Sequence, residues 1–338
     1  MRAYEITKFG LDELKVAERP EPQPGFGQVA VKVHAVSLNF RDLMLVKGQY
    51  NPKLKMPMVP CSDAAGVVMA TGEGVTRVKT GDRVCGIFMQ GWLAGEANEG
   101  VARTAMGGAI DGVLAETVVL SQDGVVPIPE HLSFEEASTL PCAAVTAWNA
   151  LVTRGQIKAG DTVLTLGTGG VSTFALQFAV ASGARVIATS SSDEKLERAK
   201  SMGAWETINY KTTPDWEERV RKITGAGADH VVEVGGSGTL MKSLRAVRTS
   251  GTVSVIGALS GGGELSPLPI LMKSVRVQGI FVGSREMFEA MNRAIVAHRI
   301  RPVVDRVFAF EEAREAMRYM ESGAHFGKIV IRFLCPHL

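Results

Sequence analysis

From about residue 160 onward, short apolar runs alternate with amphipathic stretches along the chain. The runs at Thr162–Leu166, Arg185–Thr189, Thr207–Asn209, His230–Glu233, Thr252–Ile256 and Val275–Phe281 predict strands. Between the first five lie Val171–Ala181, Asp193–Met202, Trp216–Thr224 and Leu240–Val247, whose apolar residues recur at helical spacing. Strand and helix alternating at this length imply parallel crossover units, hence an α/β region with a six-stranded, doubly wound Rossmann sheet.

The first third has a different texture. Val29–Ala35 alternates, Ala65–Ala70 is apolar, and Gly81, Asp82 and Gly86 punctuate the next stretch, which predicts a mostly β region. Gly91–Gly112 is glycine-rich and polar with Trp92 as its one large anchor, and reads as a surface excursion. Ser133 with Glu136 has the spacing of a capping box and starts a helix; a second is predicted from Thr146 to Val152. The tail predicts helices Glu286–Ala297 and Phe310–Ser322 and a last strand Lys328–Phe333. Helices this short cannot bury themselves alone, so the tail is expected to return to the first domain. Domains are expected at 1–129 with 284–338, and at 130–283.

Composition narrows the function classes. A chain of 338 residues outgrows one core, and 46% apolar with 21% charged residues is ordinary globular usage. With a net charge of +2 and Lys and Arg scattered, no nucleic-acid or anionic-membrane partner is expected. Cys61, Cys85, Cys142 and Cys335 are far apart and form no CxxC, so neither disulfide scaffold nor metal knuckle is expected. Met1–Phe9 carries Arg2, Glu5 and Lys8, and no apolar run is long enough to span a bilayer, which points to a cytoplasmic protein. The six histidines, from His34 to His337, show no metal-binding spacing.

Chemistry enters at Gly167-Thr168-Gly169-Gly170-Val171-Ser172, which comes after a predicted strand and opens a predicted helix. There the first glycine permits a tight turn and the second lets backbone N–H groups approach a pyrophosphate at the helix N-terminus. Ser172 replaces the usual third glycine. Where an NAD-selective protein carries an acid, this chain reads Thr189-Ser190-Ser191-Ser192, with Lys195 one turn later. Hydroxyls and a cation there favour a 2′-phosphate, hence NADPH, and Tyr210 stands at the next strand end. The plainer alternative makes Asp193 a helix cap, Lys195 a solvated charge and Tyr210 a rim residue.

The order of these parts, with Ala64-Ala65-Gly66-Val67-Val68, Gly81-Asp82-Arg83-Val84, Gly160-Asp161, the Gly167 turn and Gly327-Lys328-Ile329-Val330, resembles the medium-chain dehydrogenase/reductase superfamily over the whole chain. The resemblance implies a GroES-like, mostly β catalytic domain beside the Rossmann domain. In the zinc-dependent members a Cys, a His-Glu pair and a second Cys surround the metal; here Asn39, Ser62-Asp63 and Cys142 occupy those positions. One thiol and one acid make a poor zinc site, so no metal is expected. Without a Lewis acid, conjugate reduction is easier than alcohol oxidation, and the chain is similar to the zinc-free quinone oxidoreductase and enone reductase branch. The expected activity is hydride transfer from NADPH to a quinone or α,β-unsaturated carbonyl; an alcohol dehydrogenase or ketone reductase, and a low-turnover crystallin-like nucleotide binder, are the alternatives.

In that reading Asn39, Asp42 and Tyr50 are the catalytic candidates, Asp42 being equally a helix cap. The cofactor would be held by Asn39, Thr146, Gly167, Thr168, Gly169, Gly170, Val171, Ser190, Ser191, Lys195, Tyr210, Val234, Ile256, Gly257, Val282, Gly283 and Lys328. Substrate shape would depend on Met44, Tyr50, Met89, Trp92 and Met287. A homodimer or homotetramer through the sheet edge at Val275–Val282 is implied by the resemblance.

Overall fold

The computed structural model describes residues 1–257 and 265–333; Cys335 and His337 lie outside the described residues. The chain forms two compact units, Met1–Val145 with Val282–Leu338, and Thr146–Phe281.

The second unit is the Rossmann domain. Its parallel sheet places Glu206–Asn209, Arg185–Ser190, Thr162–Thr165, Ala228–Glu233, Val247–Val255 and Arg276–Gly279 side by side in that order. Central strands of such a sheet are covered on both faces, which is why Val163, Leu164, Val231 and Val232 are all buried rather than alternating. Helices Gly170–Ala181, Asp193–Ser201, Trp216–Thr224 and Ser237–Ala246 fall where the amphipathic intervals predict them.

The first unit is built on a seven-stranded sheet. Val304–Ala309, Lys328–Arg332, Gln28–Ser37, Asp63–Thr71, Arg83–Gly86 and Val125–Pro127 are neighbours in that order, with Thr117–Ser121 also paired to Gln28–Ser37. The tail does return here, because Lys328–Arg332 pairs antiparallel with Gln28–Ser37, setting Val330 opposite Ser37 and Ile331 opposite Val36. That register delivers Lys328 to the residues just after Ser37. Strand Val304–Ala309, the hairpin Arg2–Ile6 with Leu14–Glu18, and helix Phe40–Val46 were not visible as periodic patterns.

Residues 130–145 belong to this unit, not to the Rossmann domain as expected. The capping box does form: Ser133 N–H donates to Glu136 at 2.8 Å and Glu136 N–H to Ser133 Oγ at 3.1 Å. However, Phe134 then stacks on His34 at 4.2 Å beneath the Arg83 guanidinium, and Cys142 N–H donates to Asp63, so the segment is anchored on the β sheet. The predicted Thr146–Val152 helix is a composite, an α turn at Val145–Trp148 between π-helical turns at Leu140–Ala144 and Asn149–Thr153. In the glycine-rich excursion Trp92 is buried, its indole N–H donating to Gly95 O at 3.0 Å. Among the described residues no helix is long and apolar enough to cross a membrane.

Gly66 is needed for close approach rather than for turning: a Cβ there would lie 2.1 Å from Lys32 O, a backbone atom that cannot move aside. Gly66→Ala is expected to destabilise the first unit by about 2–4 kcal/mol, lowering its urea midpoint. A midpoint unchanged from the native chain would show that the two strands are not packed this tightly.

Candidate functional site

In the Rossmann unit the candidate residues gather at the carboxyl ends of the strands, the usual ligand side of such a sheet. Gly167 has φ +72°, and a Cβ on Gly167 or Gly169 would meet no atom within 4 Å, so open space lies over the turn. Helix Gly170–Ala181 starts without any side-chain cap, leaving its positive end for a ligand. Ser172 turns inward, donating to Leu166 O at 2.7 Å, and so packs helix to strand as the replaced glycine would. Thr168 is buried and Val171 half-buried.

At the next strand end Ser190 is buried and its Oγ accepts from Ser192 N–H at 3.3 Å, beside half-buried Ser191. Ser192 Oγ accepts from Lys195 N–H, making Ser192 the helix cap, while exposed Asp193 accepts from Asn209 Nδ2 at 2.7 Å. Tyr210 N–H donates to Ser190 O at 3.0 Å, and its side chain is 41% exposed.

Sequence reasoning missed Glu233. It is fully buried, and one oxygen accepts from Gly235 N–H, Gly236 N–H and the Thr239 hydroxyl at 2.7, 3.0 and 2.6 Å; the other accepts from Ser243. This carboxylate shapes the loop after Val234. Ile256 N–H donates to Glu233 O, and a Cβ on Gly257 would fall 2.0 Å from Val234 O, so the two strand ends interlock. The available signal was an acid closing a buried apolar strand immediately ahead of Val234-Gly235-Gly236. Thr146 is also buried, on the α turn. Val282 and Gly283 lie in the first unit: Val282 takes φ +58°, and a Cβ on Gly283 would strike Val145 Cγ1 at 2.4 Å.

In the first unit Asn39 caps helix Phe40–Val46, and its N–H donates to Asp42 Oδ2 at 2.8 Å. Lys328, only 4% exposed, donates to Leu38 O at 2.5 Å and to Asn39 Oδ1 at 2.6 Å. An ammonium only donates, so the amide oxygen must face it, and Asn39 Nδ2 is left as a buried donor without a hydrogen-bond partner. Asp63, fully buried, accepts from Ser62 Oγ at 2.7 Å and from Cys142 N–H at 3.0 Å. Burial pushes the Asp63 carboxyl up, opposed first by Lys328, then by the Ser62 hydroxyl, the nearby Asn39 amide and the Cys142 N–H. Burial and the Asp63 charge likewise hold the Cys142 thiol above its usual range.

Three candidates are placed as follows. Lys328, a cofactor candidate by sequence, is buried against Asn39 by the sheet register. Asp42 is fully buried, accepts from Asn39 N–H as the acidic member of a capping box, and has Oδ1 3.5 Å from Arg41 Nη1. Tyr50 is 42% exposed and lies over the Arg41 guanidinium at 5.4 Å, with Phe88 on the same cation at 4.8 Å. Among the described residues no three His, Cys, Asp or Glu side chains gather as a metal site.

Residues 25–130 match the alcohol dehydrogenase GroES-like domain and residues 170–297 the zinc-binding dehydrogenase family. A zinc-type alcohol dehydrogenase-like protein of Schizosaccharomyces pombe is 47% identical over 96% of both chains. The chain belongs to the medium-chain dehydrogenase/reductase superfamily. It is an oxidoreductase of that superfamily, similar also to a quinone oxidoreductase-like protein of Bos taurus, at 30% identity over 90% of this chain and 84% of the relative. The crystal structure of an NAD-dependent alcohol dehydrogenase superposes with a TM-score of 0.90 at 36% identity, covering 98% of this chain and 99% of the other.

Burial raises the Asp42 carboxyl to about 6 from 3.8, helped by Asp63 and opposed by Arg41. A raised acid favours the folded state while protonated, so its contribution is present below about pH 4 and is lost as pH rises through 6. Compared with Asp42→Asn, the native protein should therefore lose about 2 kcal/mol of stability between pH 4.5 and pH 7, read from urea unfolding of both. Parallel pH profiles for the two proteins would contradict a raised Asp42.

Proposed function

We propose that the protein is an NADPH-dependent, zinc-independent reductase of quinones or α,β-unsaturated carbonyls. The observation that carries this reading is the Lys328–Asn39 hydrogen bond at the position where zinc-dependent relatives would place a metal. Tetrahedral zinc needs three converging N, S or O ligands. Here the Asn39 oxygen is occupied by a cation, the Ser62 hydroxyl donates to Asp63, and Asp63 accepts from two donors, so the donor set does not fit zinc.

The residues of the Gly167 turn do fit a dinucleotide, since Gly167 and Gly169 face open space at an uncapped helix start. The bound nicotinamide, when reduced, supplies the hydride. Asn39 Nδ2, a buried donor beside Asp63, is assigned to the acceptor's oxygen or the carboxamide, and Lys328 fixes the amide's orientation and adds positive charge beside it. In conjugate reduction negative charge collects on that oxygen, which a hydrogen-bond donor stabilises without a metal. Tyr50 is available to deliver the proton, as is water. Ser190 and Ser191, with Lys195 on the following turn, favour a 2′-phosphate; the NAD-dependent structural relative is the reason to test that preference directly.

Purified protein should oxidise NADPH with 1,4-benzoquinone or an enone, contain less than stoichiometric zinc and keep its activity after chelation. One tightly bound zinc per chain, required for turnover, would overturn the zinc-free reading; NADH used as well as NADPH would overturn the Ser190–Lys195 argument. Turnover with none of these acceptors would favour a nucleotide-binding scaffold. Gly169→Ala separates binding from folding, because its Cβ meets nothing in the protein yet would fill the turn. Its thermal midpoint should stay within about 2 °C of native while NADPH affinity falls about tenfold or more. Unchanged affinity would place the pyrophosphate elsewhere.

We also propose that two copies associate through the sheet edge. Strand Arg276–Gly279 is terminal in its sheet, and around it Leu268, Leu271, Met272 and Phe281 are 59, 74, 73 and 49% exposed. Sedimentation equilibrium giving a 36.1 kDa species would exclude this.

A further inference from the structure

The amino-terminal end of the Rossmann sheet, opposite the glycine turn, carries a second polar site. A cavity of about 120 Å³ opens there, lined by Lys158, Asp161, Asp229, His230, Arg248 and Arg276. A bulge builds it. Ala228 pairs with Val247 but His230 with Thr252, so Arg248–Gly251 is looped out, with Ser250 at φ +59°. The loop lets Arg248 Nε donate to Asp229 Oδ1 at 2.6 Å, while Asp229 Oδ2 accepts from Thr162 N–H at 2.7 Å. Asp161 Oδ2 accepts from Lys158 N–H at 2.8 Å and lies 3.1 Å from His230 Nε2.

Both carboxylates are therefore committed to holding the walls. Three groups remain uncommitted. The Lys158 ammonium and the Arg276 guanidinium form no ion pair among the described residues, and His230 Nδ1 is buried without a hydrogen-bond partner on a side chain 7% exposed. Two cations around one small polar cavity, with His230 in its wall and that ring's Nδ1 buried without a partner, match a compact anion.

We propose that this cavity binds a small tetrahedral oxyanion of the phosphate class, held by Lys158, Arg276 and a hydrogen bond from His230 Nδ1. The imidazole donates through Nε2 to Asp161, so in the neutral ring Nδ1 carries no proton. To donate to the anion it takes one up from solvent, forming the imidazolium between Asp161 and the bound oxygen. Burial lowers the free ring's pKa; Asp161 and Asp229 oppose this and Arg276 adds to it, while Lys158 and Arg248 are the other charges facing the ring. A bound anion offsets the cations, so binding and protonation of His230 favour each other. The site reports on anions at the end of the sheet away from the hydride chemistry.

The test tracks the His230 imidazole by 1H–15N spectroscopy, assigned by its loss in His230→Gln, at constant ionic strength held with sodium chloride. Sodium sulfate, whose charge does not change between pH 6 and 8, should raise the His230 pKa by about one unit at saturation and bind more tightly at pH 6. Inorganic phosphate and methyl phosphate then separate a free anion from a monoester as the preferred form. Arg276→Gln and, independently, Lys158→Gln should each weaken binding about tenfold, both positions being exposed. An unmoved His230 resonance at tens of millimolar anion, including the case in which anion binds only at the glycine turn, or native affinity in both variants, would overturn the proposal.

Discussion

The hydrogen bond from Lys328 to Asn39 organises the candidate site of the first unit. A buried ammonium is costly unless donors and charges around it are matched, and here Leu38 O, Asn39 Oδ1 and the nearby Asp63 carboxyl provide that match. Asn39 cannot flip without pointing its own N–H groups at a cation. Asp42 holds the Asn39 backbone, Ser62 and Cys142 hold Asp63, and Arg41 is clasped by Tyr50 and Phe88. Each of these side chains is placed by its neighbour, so the orientation of one amide depends on residues from five separate stretches of chain.

The Rossmann unit was legible almost element by element because its strands and helices have strong, different periods. Helix Trp216–Thr224 has the bounds its pattern predicts, and the strand order is the one that handed crossovers produce. The first unit was less legible. Its strands are short or lie at the sheet edge, and strand Val304–Ala309 mixes Val304, Asp305 and Arg306 in a way no simple alternation captures. The segment 130–145 was assigned to the wrong unit because a capping box announces a helix without saying what it packs against.

The site was legible to the same degree and for related reasons. A glycine turn is a local feature, so Gly167–Val171 could be found by reading along the chain. Lys328 and Asn39 are far apart in sequence, and only the pairing of Lys328–Arg332 with Gln28–Ser37 brings them together. Asp42 was open between two roles, and only the fold shows it buried with Asn39 N–H on its carboxylate, while Glu233 was read only as the end of a strand, its four donors lying in the loop and helix that follow.

The return of the tail also orders the birth of the protein. Thr146–Phe281 is one uninterrupted stretch, so the Rossmann unit has all its strands as soon as that stretch has left the ribosome. The unit that holds Asn39 is split around it, and its partner Lys328 is made 289 residues later, after the whole Rossmann stretch. Until then Asn39 and Asp63 sit in an unfinished sheet, lacking the cation that neutralises the buried acids. A newly made chain thus completes its Rossmann unit early, while the unit that holds Asn39 waits for the strand that carries Lys328.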